Sequence, residues 1–160
     1  MLHHYEMPTD YGLTPGVVGE SPMPLGDENH ADPRRETHLP RVLVVDDERL
    51  IADTLTQILN MHGFDAFCAY SGAAALDLAE VFRPDYLLTD VMMPKLNGVE
   101  LALAMERIFP SIRVMLISGQ AGSHQAQAWQ KSNGTAFAVA AKPIHPEKLI
   151  MQLRSLEARG

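Results

Sequence analysis

Arg41-Val42-Leu43-Val44-Val45-Asp46-Asp47 is the stretch on which the fold turns. An apolar run of strand length stops at two adjacent carboxylates. The layout recurs three times downstream. Tyr86-Leu87-Leu88-Thr89 runs into Asp90, Val114-Met115-Leu116-Ile117 into Ser118, and Ala136-Phe137-Ala138-Val139-Ala140-Ala141 into Lys142-Pro143. Runs that stay apolar at successive positions mark parallel strands buried on both faces. In an open α/β sheet, ligands bind beyond the carboxyl ends of the strands. Three carboxylates, a hydroxyl and an ammonium are therefore expected to converge at one sheet edge. Carboxylates that close repel one another unless a divalent cation or a lysine neutralises them. The set suits Mg²⁺ and a phosphoryl group.

Helical patterns alternate with these runs. A first helix is expected over about 48–62, with Leu50, Ile51, Leu55, Ile58, Leu59 and His62 on its apolar spacing, and Gly63 stops it. Residues 64–70 read as a second strand. Ser71 can cap a helix reaching about Phe82, and Pro84 breaks it before the third strand, 85–90. Asn97 can cap a third helix that ends before Pro110, and 113–118 is the fourth strand. A fourth helix over about 121–131 has weak, glycine-flanked ends. Residues 135–141 form the fifth strand, and Pro146 opens a last helix to about Glu157. The expected fold is α/β: a flavodoxin-like three-layer sandwich with a five-stranded parallel sheet in order 2-1-3-4-5 and five helices.

The 160 residues suit one domain plus an extension, and a 46% hydrophobic content supports a real core. The net charge of −7 is concentrated at one end, since residues 1–40 hold seven acidic and two basic side chains. Residues 1–39, rich in Pro, Gly and acidic groups, are expected to be a disordered tail, and 40–160 the folded domain. The folded part is almost neutral and has no basic stripe for nucleic acid. The single cysteine, Cys68, excludes an internal disulfide and is expected to be a buried thiol. No apolar run approaches the roughly 18–20 residues of a membrane span, and no signal-peptide pattern opens the chain. A soluble cytoplasmic protein without membrane contact is the default expectation.

Each site residue has a plainer use. Either Asp46 or Asp47 alone would cap the next helix. Asp90 could be a turn residue, Ser118-Gly119 an ordinary turn pair, and Lys142 a lysine snorkelling from a strand end. Capping needs only one of the two adjacent carboxylates, and the other strand ends carry their own polar groups, so a shared site is the better account.

Val44-Val45-Asp46-Asp47-Glu48, Asp90-Val91-Met92-Met93-Pro94-Lys95-Leu96-Asn97-Gly98, Ile117-Ser118-Gly119 and Lys142-Pro143 together resemble the receiver domain of two-component response regulators. The likeness runs over about 41–157, with four separated motifs in family order. It implies a stand-alone receiver rather than an enzyme. Such a domain takes a phosphoryl group from the phosphohistidine of a sensor histidine kinase or histidine phosphotransfer protein. By resemblance, Asp90 is the phosphoacceptor. Asp47, Asp90 and the Met92 carbonyl ligate Mg²⁺, and Asp46 holds a metal-bound water. Lys142 pairs with Asp90 and then with the phosphoryl group, which Ser118 and the Gly119 amide also contact. Pro94 and Gly98 shape the loop after Asp90. Met92 and Gln120 flank the approach of a hydrolytic water, which implies slow self-dephosphorylation.

Three departures follow. Val139 stands where an aromatic residue is common, three positions before the lysine. Either it is inert and Phe137 is a core residue, the favoured reading, under which switching does not depend on a ring there, or the strand bulges and Phe137 takes the ring's place. The fourth helix is unusually polar. Nothing after the last helix has room for a helix-turn-helix, so direct DNA binding is not expected. Three other readings fit the residues less well. A metal-dependent phosphohydrolase needs a second Asp two residues after the nucleophile as general acid, and that place is Met92. A degenerate receiver, binding partners without phosphorylation, conflicts with the intact set of five site positions. A nucleotide site lacks its glycine-rich loop.

Overall fold

The computed structural model describes residues 38–134 and 136–157. Residues 1–37 of the expected tail lie outside the described residues. Five strands and five helices alternate: β1 (Arg41–Val45), α1 (Arg49–Met61), β2 (Asp65–Ala69), α2 (Gly72–Phe82), β3 (Tyr86–Asp90), α3 (Gly98–Ile108), β4 (Arg113–Ser118), α4 (Gln120–Asn133), β5 (Ala138–Ala141) and α5 (Pro146–Glu157). All strand pairs are parallel and the order is β2-β1-β3-β4-β5. The expected flavodoxin-like architecture is the observed one.

Alternate residues of each central strand serve opposite faces of the sheet. Leu43, Val45, Leu87, Val114 and Leu116 pack with α2, α3 and α4 through Ala75, Ala102, Met105 and Ala126. Val42, Val44, Leu88, Met115 and Ile117 pack with α1 and α5 through Leu55, Leu59, Leu149 and Leu153. Both faces are covered, so the strands carry no polar alternation until their ends.

The helix signals act where expected. Ser71 Oγ accepts from the Ala74 amide, capping α2. Asn97 and Glu100 form a reciprocal capping box at α3. Two features had no local signal. Arg83 ends α2 at φ 51, and Lys95 sits in the β3–α3 loop at φ 66, both positions where glycine or asparagine is the usual choice.

Several expectations need correcting. On α1 the expected Leu55 and Leu59 are buried and Ile51 and Ile58 pack beside them, with Ala52 completing the face, but Leu50 is 79% exposed and His62 is exposed. The thiol of Cys68 is only partly buried, since β2 is an edge strand and its Sγ faces Asp53 and Tyr70. Strand β5 begins at Ala138 rather than 135, where pairing with Met115 starts. Helix α4 is longer than expected and ends at Gly134, whose φ is 66.

Candidate functional site

The β1, β3, β4 and β5 ends deliver the expected residues to one edge. Register sets their level: Val45 pairs with Thr89, Asp90 with Ile117, and Ser118 with Ala141. Backbone bonds extend that order into the loops. The Asp46 amide donates to the Ala69 carbonyl (3.3 Å), the Val91 amide to Ile117 (3.0 Å), and the Lys142 amide to Ser118 (3.0 Å). Carboxylate oxygens of Asp46, Asp47 and Asp90 lie within 4.8 Å of one another. Asp46 and Asp90 are buried and Asp47 is exposed.

Lys142 Nζ stands 3.4 Å from Asp90 Oδ1 and 3.8 Å from Asp46 Oδ2. One ammonium thus serves two carboxylates. Burial pushes the Asp46 carboxyl up to about 6; the Glu48 amide and Lys142 pull against this, and Asp90 adds to it. Asp90 is also raised by burial, opposed by Lys142 and by a hydrogen bond from the Met92 amide.

The two Asp46 oxygens differ. Oδ1 accepts the Glu48 amide at 2.9 Å, a turn contact that fixes the side chain. Oδ2 is buried and, among the described residues, has no hydrogen-bond partner. The Lys142 ammonium that faces it at 3.8 Å is shared with Asp90, so the buried oxygen calls for further positive charge. Three carboxylates around it offer only hard oxygen donors, the set that Mg²⁺ prefers. The residues present therefore fit that ion.

Ser118 is buried and its hydroxyl donates to the Gly119 carbonyl at 2.8 Å. Gly119 has φ −73 and open space where a Cβ would stand, so the fold itself does not demand glycine there. Gly98 is the opposite case. A Cβ on it would stand 2.0 Å from the Asp90 carbonyl oxygen, because the start of α3 crosses directly over the end of β3. Sequence placed Gly98 in the loop but gave no measure of this approach. Met92 is 54% exposed while Met93 is buried in the core, so only Met93 packs the loop. The Gln120 side chain lies outside the described residues. Phe137 is buried among Val114, Leu116 and Met105, with Val139 and Trp129 packed against that cluster. His124 and His145 are exposed, as expected of surface polar residues.

Comparison with known proteins gives the class. The family model for the response regulator receiver domain matches residues 42–154, and this chain belongs to that family. Response regulator MprA of Mycobacterium avium (strain 104) is 29% identical over 119 residues, which cover 74% of this chain and 51% of that protein. The chain spans about half the length of the curated relatives it matches. Among solved structures, a response regulator receiver domain protein from Clostridium thermocellum matches with TM-score 0.68 and 26% identity, covering 76% of this chain and 96% of that one. Chemotaxis protein CheY4 of Vibrio cholerae matches with TM-score 0.65 and 28% identity, covering 74% and 98%. The fold and the two-component regulatory class are thereby established. No described helix is long and apolar enough to cross a membrane.

Proposed function

We propose that this domain takes a phosphoryl group onto Asp90 from the phosphohistidine of a sensor histidine kinase or histidine phosphotransfer protein, in the cytoplasm. An Asp90 oxygen attacks phosphorus in line. The P–N bond breaks, its electron pair returns to the imidazole, and an acyl phosphate forms. The observation that carries this reading is Lys142 Nζ at 3.4 Å from Asp90 Oδ1 and 3.8 Å from the buried Asp46 Oδ2, which has no hydrogen bond among the described residues. Asp46, Asp47, Asp90 and the Met92 carbonyl would hold Mg²⁺, which supplies charge neutralisation for the incoming phosphoryl group. Lys142 holds Asp90 before transfer and a phosphoryl oxygen after it. The Ser118 hydroxyl and Gly119 amide contact the remaining oxygens. The domain's own residues promote the transfer, but its role is regulatory rather than that of an enzyme with turnover. Its output runs through contacts with other proteins.

Switching follows from the same geometry. Drawing Ser118 and Lys142 onto the phosphoryl group shifts the population of two arrangements of α4 and β5. Phe137 is already buried in the core, which supports a switch that does not depend on ring burial.

The decisive experiment is acetyl phosphate with Mg²⁺, read by intact mass. Wild type should gain one phosphoryl group and Asp90→Asn none. No adduct on wild type would favour a degenerate receiver that works by binding alone.

A donor protein has to cover the rim of the site to bring its histidine to Asp90. A groove of about 420 Å³ opens there beside Lys142, walled by Leu50, Ile51, Ile58, Pro143, Ile144 and Pro146. The exposed Leu50 gives it an apolar edge suited to a helix of the donor. Leu50→Asp should slow transfer from a phosphohistidine donor at least about tenfold, the scale of a typical interface anchor. Labelling by acetyl phosphate should stay at the wild-type rate. Equal slowing of both would place the defect in the site rather than the groove.

A further inference from the structure

The first turn of α1 is built against local preference. Arg49 puts a cation at the helix start, where the backbone already presents partial positive charge. No acidic residue stands in that turn, and the N-cap residue Glu48 makes no side-chain capping bond. Such an end frays unless something outside the helix holds it.

What holds it stands at the end of the neighbouring strand. The Arg49 guanidinium lies 4.4 Å from the centroid of the Tyr70 ring. The Tyr70 hydroxyl donates to Asp53 Oδ1 at 2.5 Å, one helical turn beyond Arg49. Cys68 Sγ lies 3.4 Å from the same oxygen. The Asp53 carboxylate, which accepts its hydroxyl proton, pushes the Tyr70 phenol above its ordinary range.

Tyr70 directly follows Ala69, whose carbonyl accepts the Asp46 amide and whose register partner is Val45. Asp46 and Asp47 thus sit in a short turn with two anchored ends. Val45 is fixed in the sheet, and Arg49 is clamped on Tyr70. We propose that Tyr70 is a positioning residue: acting through Arg49 and Asp53, it fixes the turn that presents the Asp46 and Asp47 carboxylates. This rests on the reading of Asp46, Asp47 and Asp90 as a Mg²⁺ site.

The test titrates Mg²⁺ by calorimetry into wild type, Tyr70→Leu, Tyr70→Phe and Asp47→Ala. In the metal-free proteins it also follows hydrogen exchange at the Glu48 amide, which bonds Asp46 Oδ1 and so reports on the turn itself. Tyr70→Leu should weaken Mg²⁺ binding about tenfold, the low end for partners that orient metal ligands. Tyr70→Phe keeps the ring under Arg49 and should weaken it less. The Glu48 amide should exchange several-fold faster in Tyr70→Leu. The metal-free Tm should barely move, since exposed contacts of this kind contribute little to stability. Wild-type Mg²⁺ affinity together with wild-type Glu48 exchange in Tyr70→Leu overturns the proposal. If Asp47→Ala binds Mg²⁺ as wild type does, the metal reading fails separately. Glu48 exchange then decides alone: acceleration supports the positioning role and no change overturns it.

Discussion

Mg²⁺ should raise the Tm of the wild-type chain by roughly 10 °C near pH 7.5, and Asp47→Ala should abolish the rise. A ligand at about a hundredfold its dissociation constant stabilises the native state by about 2.7 kcal/mol through mass action. A domain of this size gains roughly 3–5 °C for each kcal/mol. The rise comes from relieving the repulsion among Asp46, Asp47 and Asp90, which one lysine only partly offsets. The effect depends on pH in a direction the site fixes. Asp46 is raised to about 6 by burial, above its unfolded value of 3.8. Between those values the native state holds a proton that the unfolded chain releases. Metal-free stability from this group is therefore full below about 4 and falls as pH rises through about 6. Mg²⁺ competes with that proton, so its stabilisation should shrink as pH drops from about 7.5 to about 5. Thermal melts across this range, with and without metal, measure both trends. Asp46→Asn keeps the oxygen that accepts the Glu48 amide and should flatten the metal-free trend. A Mg²⁺ shift that persists in Asp47→Ala would put the ion elsewhere.

Gly98→Ala should lower stability by about 3 kcal/mol or more, at the upper end of overpacking effects. The added methyl would meet the Asp90 carbonyl oxygen at 2.0 Å, the Asp90 carbonyl carbon at 2.8 Å and the Val91 Cα at 2.9 Å. All three are backbone atoms of the strand end and its continuation, and neither can step aside alone. The Gly98 amide is also tied to the Val91 carbonyl at 2.9 Å, which holds α3 in place against the intruding group. Relief requires lifting α3 or displacing Asp90, so phosphoryl acceptance should fall together with Tm. Gly119→Ala is the matched control. Its Cβ meets nothing within 4 Å, and its φ of −73 suits any residue. Urea denaturation of the two variants should separate them clearly. A Gly98→Ala protein as stable as wild type would mean that α3 adjusts without strain.

Much of this site was legible because its parts are local. A strand buried on both faces must stay apolar until it leaves the sheet, so the first polar residue marks its end. Asp46, Ser118 and Lys142 follow that rule, and Asp90 comes one residue after the polar but buried Thr89. Caps follow similar local chemistry, and Ser71 and Asn97 sit where their short side chains reach the next amides. The expected face of α1 was right at Leu55, Leu59, Ile51 and Ile58 and wrong at two flanking positions. Leu50 and His62 fit a helical spacing, yet the line of burial runs through Ala52, Leu55 and Leu59. Spacing fixes the period of a helix but not how wide a stripe of it the sheet covers. Cys68 failed for a related reason: a residue in an edge strand is covered on fewer sides than composition suggests.

Sequence by itself determined the order of strands and helices, the class of fold and the residues brought to the carboxyl edge. These depend on periodicity, on chain breakers and on the right-handedness of parallel crossovers, all carried by nearby residues. Tertiary structure alone decided how those residues share their charges. It buried Asp46 while leaving Asp47 exposed, set one Lys142 between two carboxylates, and left Asp46 Oδ2 without a hydrogen bond among the described residues. It also brought Tyr70 onto Asp53 and Gly98 against Asp90. Burial, Coulomb interaction and close contact depend on distances through space. Residues far apart in the chain acquire those distances only when the sheet is assembled.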